Sequence, residues 1–413
     1  MAIDPIVALE IGTTKVLAIV GEVREDGHAM ITGIGETQSA GVRKGEIFDF
    51  DNALSCVRLA LQAAEENAQV EIRSVHLGIS GGHIQSLVNR GTIPVNDPEG
   101  EITGKDVSQV MDVARAVNLP ADREIMHSIC QHFYIDDQEE VVRPEGMEGA
   151  RLALDMLLLH GVRNRLHNPV RVVRSVPMDV TDIVFSGLCS AMAVLTPEQK
   201  ESGVLLIDLG GGTTDYVAYA ASRLAAAGAL GVGGDHVTND VSLAFGLSTR
   251  QAEKLKRESG SATIELPSRL KQIGVAPDGG FEGRTVTLGS LHTVINARME
   301  ETLQMVRTRI KPEDLRQMGA GVVVTGGGAH MRGIRELAEK VFRLPCAMGR
   351  MHGVSGLASA TEGPEYATAV GLVRYGFKTA SQKTSRLERF LGRLFGGIEP
   401  AAGRSTDMER DEQ

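Results

Sequence analysis

The sequence predicts an α/β protein built as two similar halves that face each other across a cleft. Three observations lead there. A strand, an acid, a glycine turn and a Thr-Thr pair occur near the start, in Ala8-Leu9-Glu10-Ile11-Gly12-Thr13-Thr14-Lys15. The same pattern returns in Leu206-Ile207-Asp208-Leu209-Gly210-Gly211-Gly212-Thr213-Thr214-Asp215. A third glycine turn, Gly326-Gly327-Gly328, follows a late apolar strand. Strand-like runs alternate with segments of helical period between them.

The first half opens with an apolar strand (Ile6 to Leu9), a tight turn at Gly12 and a second strand (Lys15 to Val23). Residues 52–68 read as a helix with Asp51 as N-cap. A short strand at 75–80 ends in Gly81-Gly82. Residues 83–165 differ in texture: a Thr103–Asn118 helix and strand-like stretches near 125–135 and 152–160 suggest a small inserted α/β subdomain. The spacing then predicts a strand at 170–176 and a helix at 178–195. The second half opens with the strand–turn–strand of 203–220. Helical periods follow at 235–258 and 290–310, then strand–glycine turn–helix at 322–342 and a closing helix at 363–376. Polar residues 378–385 read as a linker.

Composition narrows the class. With 42% hydrophobic and 23% charged residues, the chain is globular, and 413 residues suggest two to four domains at roughly 150 residues each. A net charge of -10 argues against nonspecific binding to nucleic acid. The start has no basic segment followed by an apolar one, so it does not read as a signal peptide. No apolar run approaches the ~20 residues that cross a bilayer. Four widely spaced cysteines without a CxxC pair suit a reduced cytoplasmic protein. Glycine is the outlier, 48 of 413 residues, about 12% against a typical ~7%.

The repeated turns have a chemical reading. Glycine lets the backbone turn tightly and aim several N–H groups at one anion. The threonine hydroxyls add donors to phosphate oxygens. An acid at the strand end cannot bind phosphate, but it can hold waters on a Mg²⁺ that bridges phosphates. Two such hairpins face to face would clamp a triphosphate. The third turn fits neither GxGxxG nor GxxxxGK[ST]. It can press backbone against a flat nucleoside.

These motifs, in this order, resemble the superfamily of actin, sugar kinases and heat-shock chaperone ATPases. Within it the chain resembles the FtsA family of bacterial cell-division proteins. The stretches that carry the likeness are VALEIGTTKVLAIVGE, HSICQHFYIDDQEEVVRPEGMEGARLAL, MAVLTPEQKESGVLLIDLGGGTTD, GVGGDHVTNDVSLAFGLSTRQAEKLK, VVVTGGGAHMRGI and GPEYATAVGL. The resemblance implies an actin-like fold of two RNase H-like domains around a nucleotide cleft. The first would hold 1–82 and 166–200, with 363–376 returning to it, and 83–165 inserted. The second would hold 201–224 and 311–362, with a partner-binding subdomain at 225–310 and a tail at 377–413.

The resemblance also implies ATP and Mg²⁺. Gly12, Thr13, Thr14 and Lys15 would form the first phosphate loop, and Gly210, Gly211, Gly212, Thr213 and Thr214 the second. Gly233, Gly234, Glu253 and Lys256 would meet ribose and base, and Gly326, Gly327 and Gly328 the adenosine. Glu10 and Asp208 would hold Mg²⁺ through water. Glu10 stands where the family carries Asp. The position of a water-orienting carboxylate falls near Ser186, with Asp179 and Asp182 one or two helical turns upstream, which predicts weak ATP hydrolysis. The family further implies filaments, the tail of the tubulin-like FtsZ as a partner, other divisome proteins and the cytoplasmic face of the bacterial inner membrane at midcell. Basic residues at 249–273 (Arg250, Lys254, Lys256, Arg257, Arg269, Lys271) are candidates to meet an acidic peptide. The alternatives are a pilus-assembly ATPase of the same fold and a sugar-kinase-type phosphotransferase.

The chain end carries a membrane signal. In 385–396, Leu387, Phe390, Leu391, Leu394 and Phe395 share one helical face, and Arg386, Arg389 and Arg393 lie opposite. With Lys378, Lys383 and Glu388 the segment carries five bases and one acid, a net of +4. Such a helix would lie in an anionic interface rather than span it. His127, Cys130 and His132 are set aside as a metal set, since an odd separation of the two histidines on a strand puts them on opposite faces.

Overall fold

The computed structural model describes residues 5–24, 28–136, 138–264, 269–357 and 362–394. Two sheets repeat one plan. In the first half, Ile6–Ile11 pairs antiparallel with Lys15–Val23 and parallel with Ser74–Ile79. The full order is Asp179–Phe185, Ser74–Ile79, Ile6–Ile11, Lys15–Val23, Ala29–Gln38 and Val354–Gly356. In the second half, Val204–Leu209 pairs antiparallel with Thr214–Ala220 and parallel with Val322–Thr325. Arg223–Leu230 and Cys346–Met348 form its edges. Val354–Gly356, inside the range expected for the second half, pairs instead with Ala29–Ile31 of the first sheet.

Both central strands are buried along nearly their whole length, as strands covered on two faces require. The closing helix begins at Ala367 and seals the first sheet with Thr368, Val370, Leu372 and Val373 buried. In the second half, helix Leu288–Arg307 packs on helices Gly234–Phe245 and Ile334–Phe342 and buries Leu291, Ile295, Met299 and Leu303 in that half's core. Between them a third sheet, Gln85–Pro94, Arg151–Val162, Arg123–Ile135 and Gln138–Val141, carries helix Gly104–Arg115 on one face.

Several local expectations change. The helix expected at 52–68 spans Phe50–Ala68, and its cap is Asp49, whose carboxylate accepts from Asn52 N at 3.1 Å. Replacing Asp49 with Ala is expected to cost about 1 kcal/mol, and Asp51→Ala less than about 0.5 kcal/mol. Urea unfolding of the two variants decides between the caps.

The strand expected at 170–176 is the end of helix Arg163–Ser175. The alternation of Val and Arg there imitates a strand, but the buried set Leu166, Pro169, Val172, Val173 follows a helical spacing. The helix expected at 178–195 divides into strand Asp179–Phe185 and helix Ser186–Val194. Asp179 and Asp182 therefore lie on a strand, and Asp182 accepts from the Tyr375 hydroxyl at 2.7 Å. The period at 235–258 breaks at Gly246, which takes φ 60 between Gly234–Phe245 and Thr249–Ser259.

The linker expected at 378–385 is helical: Ala367–Leu394 runs without a break over 28 residues. Four of its eight residues are Ser or Thr, weak helix formers, but Lys378, Ala380, Gln382 and Lys383 favour a helix, and neither proline nor glycine interrupts the run. Helical backbone thus reaches Leu387, Phe390, Leu391, Leu394, Arg386, Arg389 and Arg393, while their side chains and Phe395 lie outside the described residues. Among the described residues no helix is long and apolar enough to cross a membrane.

Candidate functional site between the two halves

The two glycine hairpins close in the same way. Gly12 N donates to Lys15 O at 3.0 Å, and Gly210 N donates to Thr213 O at 2.9 Å. They also meet. A methyl group added at Gly211 would fall 2.4 Å from Thr14 Cγ2, and one at Gly212 would fall 2.3 Å from Thr13 Oγ1. The absence of a side chain here is what lets two backbones share one narrow space.

Around this contact runs a continuous cleft. Its deep end is lined by Glu10, Gly12, Thr13, Thr14, Lys15, Asp208, Gly210, Gly211, Gly212, Thr213, Gly326 and Gly327. The outer part, about 730 Å³, is lined by Thr14, Lys15, Gly210, Gly211, Thr214, Gly233, Gly234, Glu253, Lys256, Gly327 and Gly328. That volume lies within the roughly 300–1,000 Å³ of small-ligand sites. Every residue singled out for phosphate, metal, ribose or base by the sequence therefore borders one cleft.

Each turn is fixed by its neighbours. Gly326 takes φ 81, and a Cβ there would strike Asp208 Oδ1 at 2.1 Å. Its N–H donates to Pro364 O at 3.1 Å. Gly234 N and Asp235 N donate to Gly210 O and Gly211 O at 3.0 and 2.8 Å, which ties the start of helix Gly234–Phe245 beneath the second hairpin. Lys256 Nζ forms an ion pair with Glu253 at 2.6 Å and donates to Gly234 O at 3.2 Å. The Thr238 hydroxyl donates to the same Glu253 carboxylate.

The deep end is acidic. Glu10 is enclosed by protein except toward the cleft, and burial pushes its carboxyl up to about 7, with Asp208 adding repulsion and Lys15 opposing. Its Oε2 is buried without a hydrogen-bond partner. Burial also raises Asp208, although Ser190 donates to it at 2.5 Å and Thr368 at 3.3 Å. A third acid, Asp215, is raised well above the carboxylate range, by burial first and then by Asp208. The Ser80 hydroxyl from the first half donates to it. Three carboxyls that resist ionisation around an orphaned oxygen suit a hard cation whose charge would ionise them. Among the described residues no three acids, histidines or cysteines form a metal cage.

Sequence reasoning missed Asp215, Ser80, the turn Lys44-Gly45, Glu36 and Tyr366. Asp215 had a signal. In the second hairpin Asp208 pairs across the ladder with Asp215, whereas in the first Glu10 pairs with Leu17. The break in the rhyme marks the extra acid. Ser186 lines the cleft without a carboxylate, and Asp215 packs beside it: a Cβ on Gly187 would lie 3.2 Å from Asp215 Cβ. Gly45 N donates to Thr13 Oγ1 at 3.0 Å, and Lys44 takes a left-handed φ of 53 against Gly212. His127 Nε2 accepts from Phe185 N at 3.0 Å and so serves the neighbouring strand.

Two repeated sheets, a glycine hairpin from each, and a cleft between them define an actin-like protein. Solved structures agree on the fold. A chain of a PilM–PilN type IV pilus biogenesis complex superposes with a TM-score of 0.62 at 14% identity, over 90% of this chain and 98% of that one. MreB5 of Spiroplasma citri, bound to ADP, superposes with a TM-score of 0.53 at 14% identity, over 92% and 98%. The sequence is more specific. The family model "Cell division protein FtsA" matches residues 205–371, and "SHS2 domain inserted in FTSA" matches residues 81–160. Cell division protein FtsA of Pseudomonas aeruginosa is 36% identical over 383 residues, 92% of this chain and 91% of that protein. The chain belongs to the FtsA family of cell division proteins.

Proposed function

We propose that the protein binds ATP with Mg²⁺ in the interlobe cleft, assembles into filaments, and tethers the FtsZ ring to the cytoplasmic face of the inner membrane at the division site. The observation that carries this reading is the meeting of the Gly12 and Gly211 hairpins over three buried acids. A triphosphate there would take backbone N–H groups from both halves and so hold them together. Mg²⁺ would supply charge neutralisation; Glu10 and Asp208 are the residues to hold it through water. Hydrolysis is slow on this reading. Ser186 lies where the family likeness places a water-orienting carboxylate, and a serine cannot take a proton from the attacking water as a carboxylate would.

Membrane attachment rests on the C-terminal helix and its basic stripe. About 1 kcal/mol for each basic residue near an anionic surface gives Arg386, Arg389 and Arg393 together roughly a hundredfold in partitioning. Deletion of 385–413 is expected to abolish sedimentation with anionic liposomes. Unchanged sedimentation would remove the membrane assignment.

The FtsZ tail would dock on the subdomain at 225–310. Of the six bases singled out there, Arg250 pairs with Asp278 at 2.9 Å, Lys254 with Glu258 at 3.9 Å, and Lys256 and Arg257 both with Glu253 at 2.6 Å. Arg269 and Lys271 remain exposed on either side of Leu270, which is 86% exposed. An apolar residue between two bases suits an acidic peptide with an apolar anchor. Liposome co-sedimentation with and without ATP and an FtsZ tail peptide tests nucleotide, membrane and partner together. The 36% identity to an FtsA protein against 14% to the pilus chain favours this over a pilus role.

A further inference from the structure

Lys15 stands where the two parts of the cleft join and borders both. Its ammonium is already held from the outer side. Glu36 Oε2 lies 3.2 Å from Nζ, and the Tyr366 ring centroid lies 3.7 Å from it. The Tyr366 hydroxyl donates to the same Glu36 carboxylate at 3.0 Å, so the three side chains close on one another. Glu36 is on strand Ala29–Gln38, directly opposite Leu17 in the ladder and next to the first hairpin.

Tyr366 comes from the other direction. It ends the short strap Pro364–Tyr366, and Pro364 O accepts from Gly326 N at 3.1 Å and from the Thr325 hydroxyl at 3.2 Å. The neighbouring Glu365 accepts from His330 at 2.8 Å. The strap is thus tied to the glycine turn of the second half, while Lys15 and Glu36 belong to the first. The hold on Lys15 is a bridge between the halves at the front of the cleft.

An ammonium has three protons to donate and one position to occupy. A carboxylate and an aromatic face in contact with it draw it outward. A phosphate chain between the hairpins would draw the same ammonium inward. We infer that Glu36 and Tyr366 are positioning residues that set the affinity of the cleft for a nucleoside triphosphate by competing for Lys15. The inference rests on the ATP reading above.

The two effects of removing the Glu36 charge have one sign, since Lys15 is released and a negative charge leaves the cleft mouth. Glu36→Gln is expected to tighten ATP binding on the order of tenfold. Tyr366→Phe keeps the ring and loses the hydroxyl, and is expected to tighten it about twofold to threefold. In a Lys15→Gln background Glu36→Gln should give less than a twofold gain, because only the removal of a half-exposed, screened charge remains. The measurement is equilibrium binding of Mg-ATP to the full chain, with a fluorescent ATP analogue displaced by ATP, for wild type, the three single variants and the double variant. If wild type does not bind ATP, the ATP reading fails first. If wild type binds and Glu36→Gln leaves the constant within twofold, or its gain survives the loss of Lys15, this inference alone is overturned. Glu36 is partly exposed, and the Tyr366→Phe variant carries the test should Glu36→Gln not fold.

Discussion

A Glu10→Gln variant is expected to be more stable than the wild-type protein at pH 8 and to show a weaker Mg²⁺ dependence of ATP binding. The folded protein holds the Glu10 proton up to about pH 7, whereas an unfolded chain releases it near 4.5. Between these values the folded state binds more protons, so stability falls as pH rises, and the full cost is present above about 7. A shift of this size corresponds to at most about 3 kcal/mol, reduced by whatever water enters the cleft. Glutamine has the same shape and no charge to desolvate. Urea unfolding at pH 5 and pH 8 should show a smaller fall in the variant than in wild type. Asp208 and Asp215 keep part of the slope, because burial raises them too. An identical pH dependence in both proteins would show that Glu10 is not the strained group. In binding, wild type should lose affinity for ATP when EDTA removes Mg²⁺, and the variant should lose less, with Asp208 alone left to hold the ion's waters.

The second large effect is expected at Gly212. A methyl group there would lie 2.3 Å from Thr13 Oγ1 and 2.9 Å from Lys44 N and Cα. The threonine hydroxyl cannot rotate aside without losing its bond from Gly45 N, and the Lys44 turn is held further by the Arg165–Glu46 pair at 2.6 Å. Gly212→Ala must therefore move one hairpin away from the other. A displacement of about 1 Å at a site built from aligned donors costs on the order of a hundredfold in the interaction they make. ATP affinity should fall by about that factor, with the separate sheets intact by circular dichroism. If Gly212→Ala binds ATP as wild type does, the hairpins do not act as a clamp.

The two hairpins were legible in the sequence because each is local. Strand, turn and strand fit within 18 residues, Ile6 to Val23 and Val204 to Ala220, and glycine, threonine and acid each have one strong reason to be there. The inserted sheet was legible as a change of texture. What was not legible depended on distant partners. Tyr366 and Glu36 are 330 positions apart, and nothing near either residue announces the other. Residues 170–176 alternate like a strand, and only the burial of Leu166 and Pro169 beside Val173 decides for a helix. Residues 179–185 were absorbed into a helical period, although they pair parallel with Ser74–Ile79, with one register shift between Val180 and Asp182. Asp49 and Asp51 are equally good caps by type, and the turn at Gly41 settles the choice: Phe48 N and Asp49 N both donate to Gly41 O, which brings Asp49 to the helix start.

The unbroken helix Ala367–Leu394 changes what attachment would mean mechanically. At 1.5 Å per residue its 28 residues measure about 42 Å, and its first turns are locked into the first sheet. A loose leash would let the body drift and tumble beneath a bilayer. A helix that runs without a break from the first sheet into the surface-lying segment fixes the heading of the body instead, so that neighbouring copies would already be aligned before they touch.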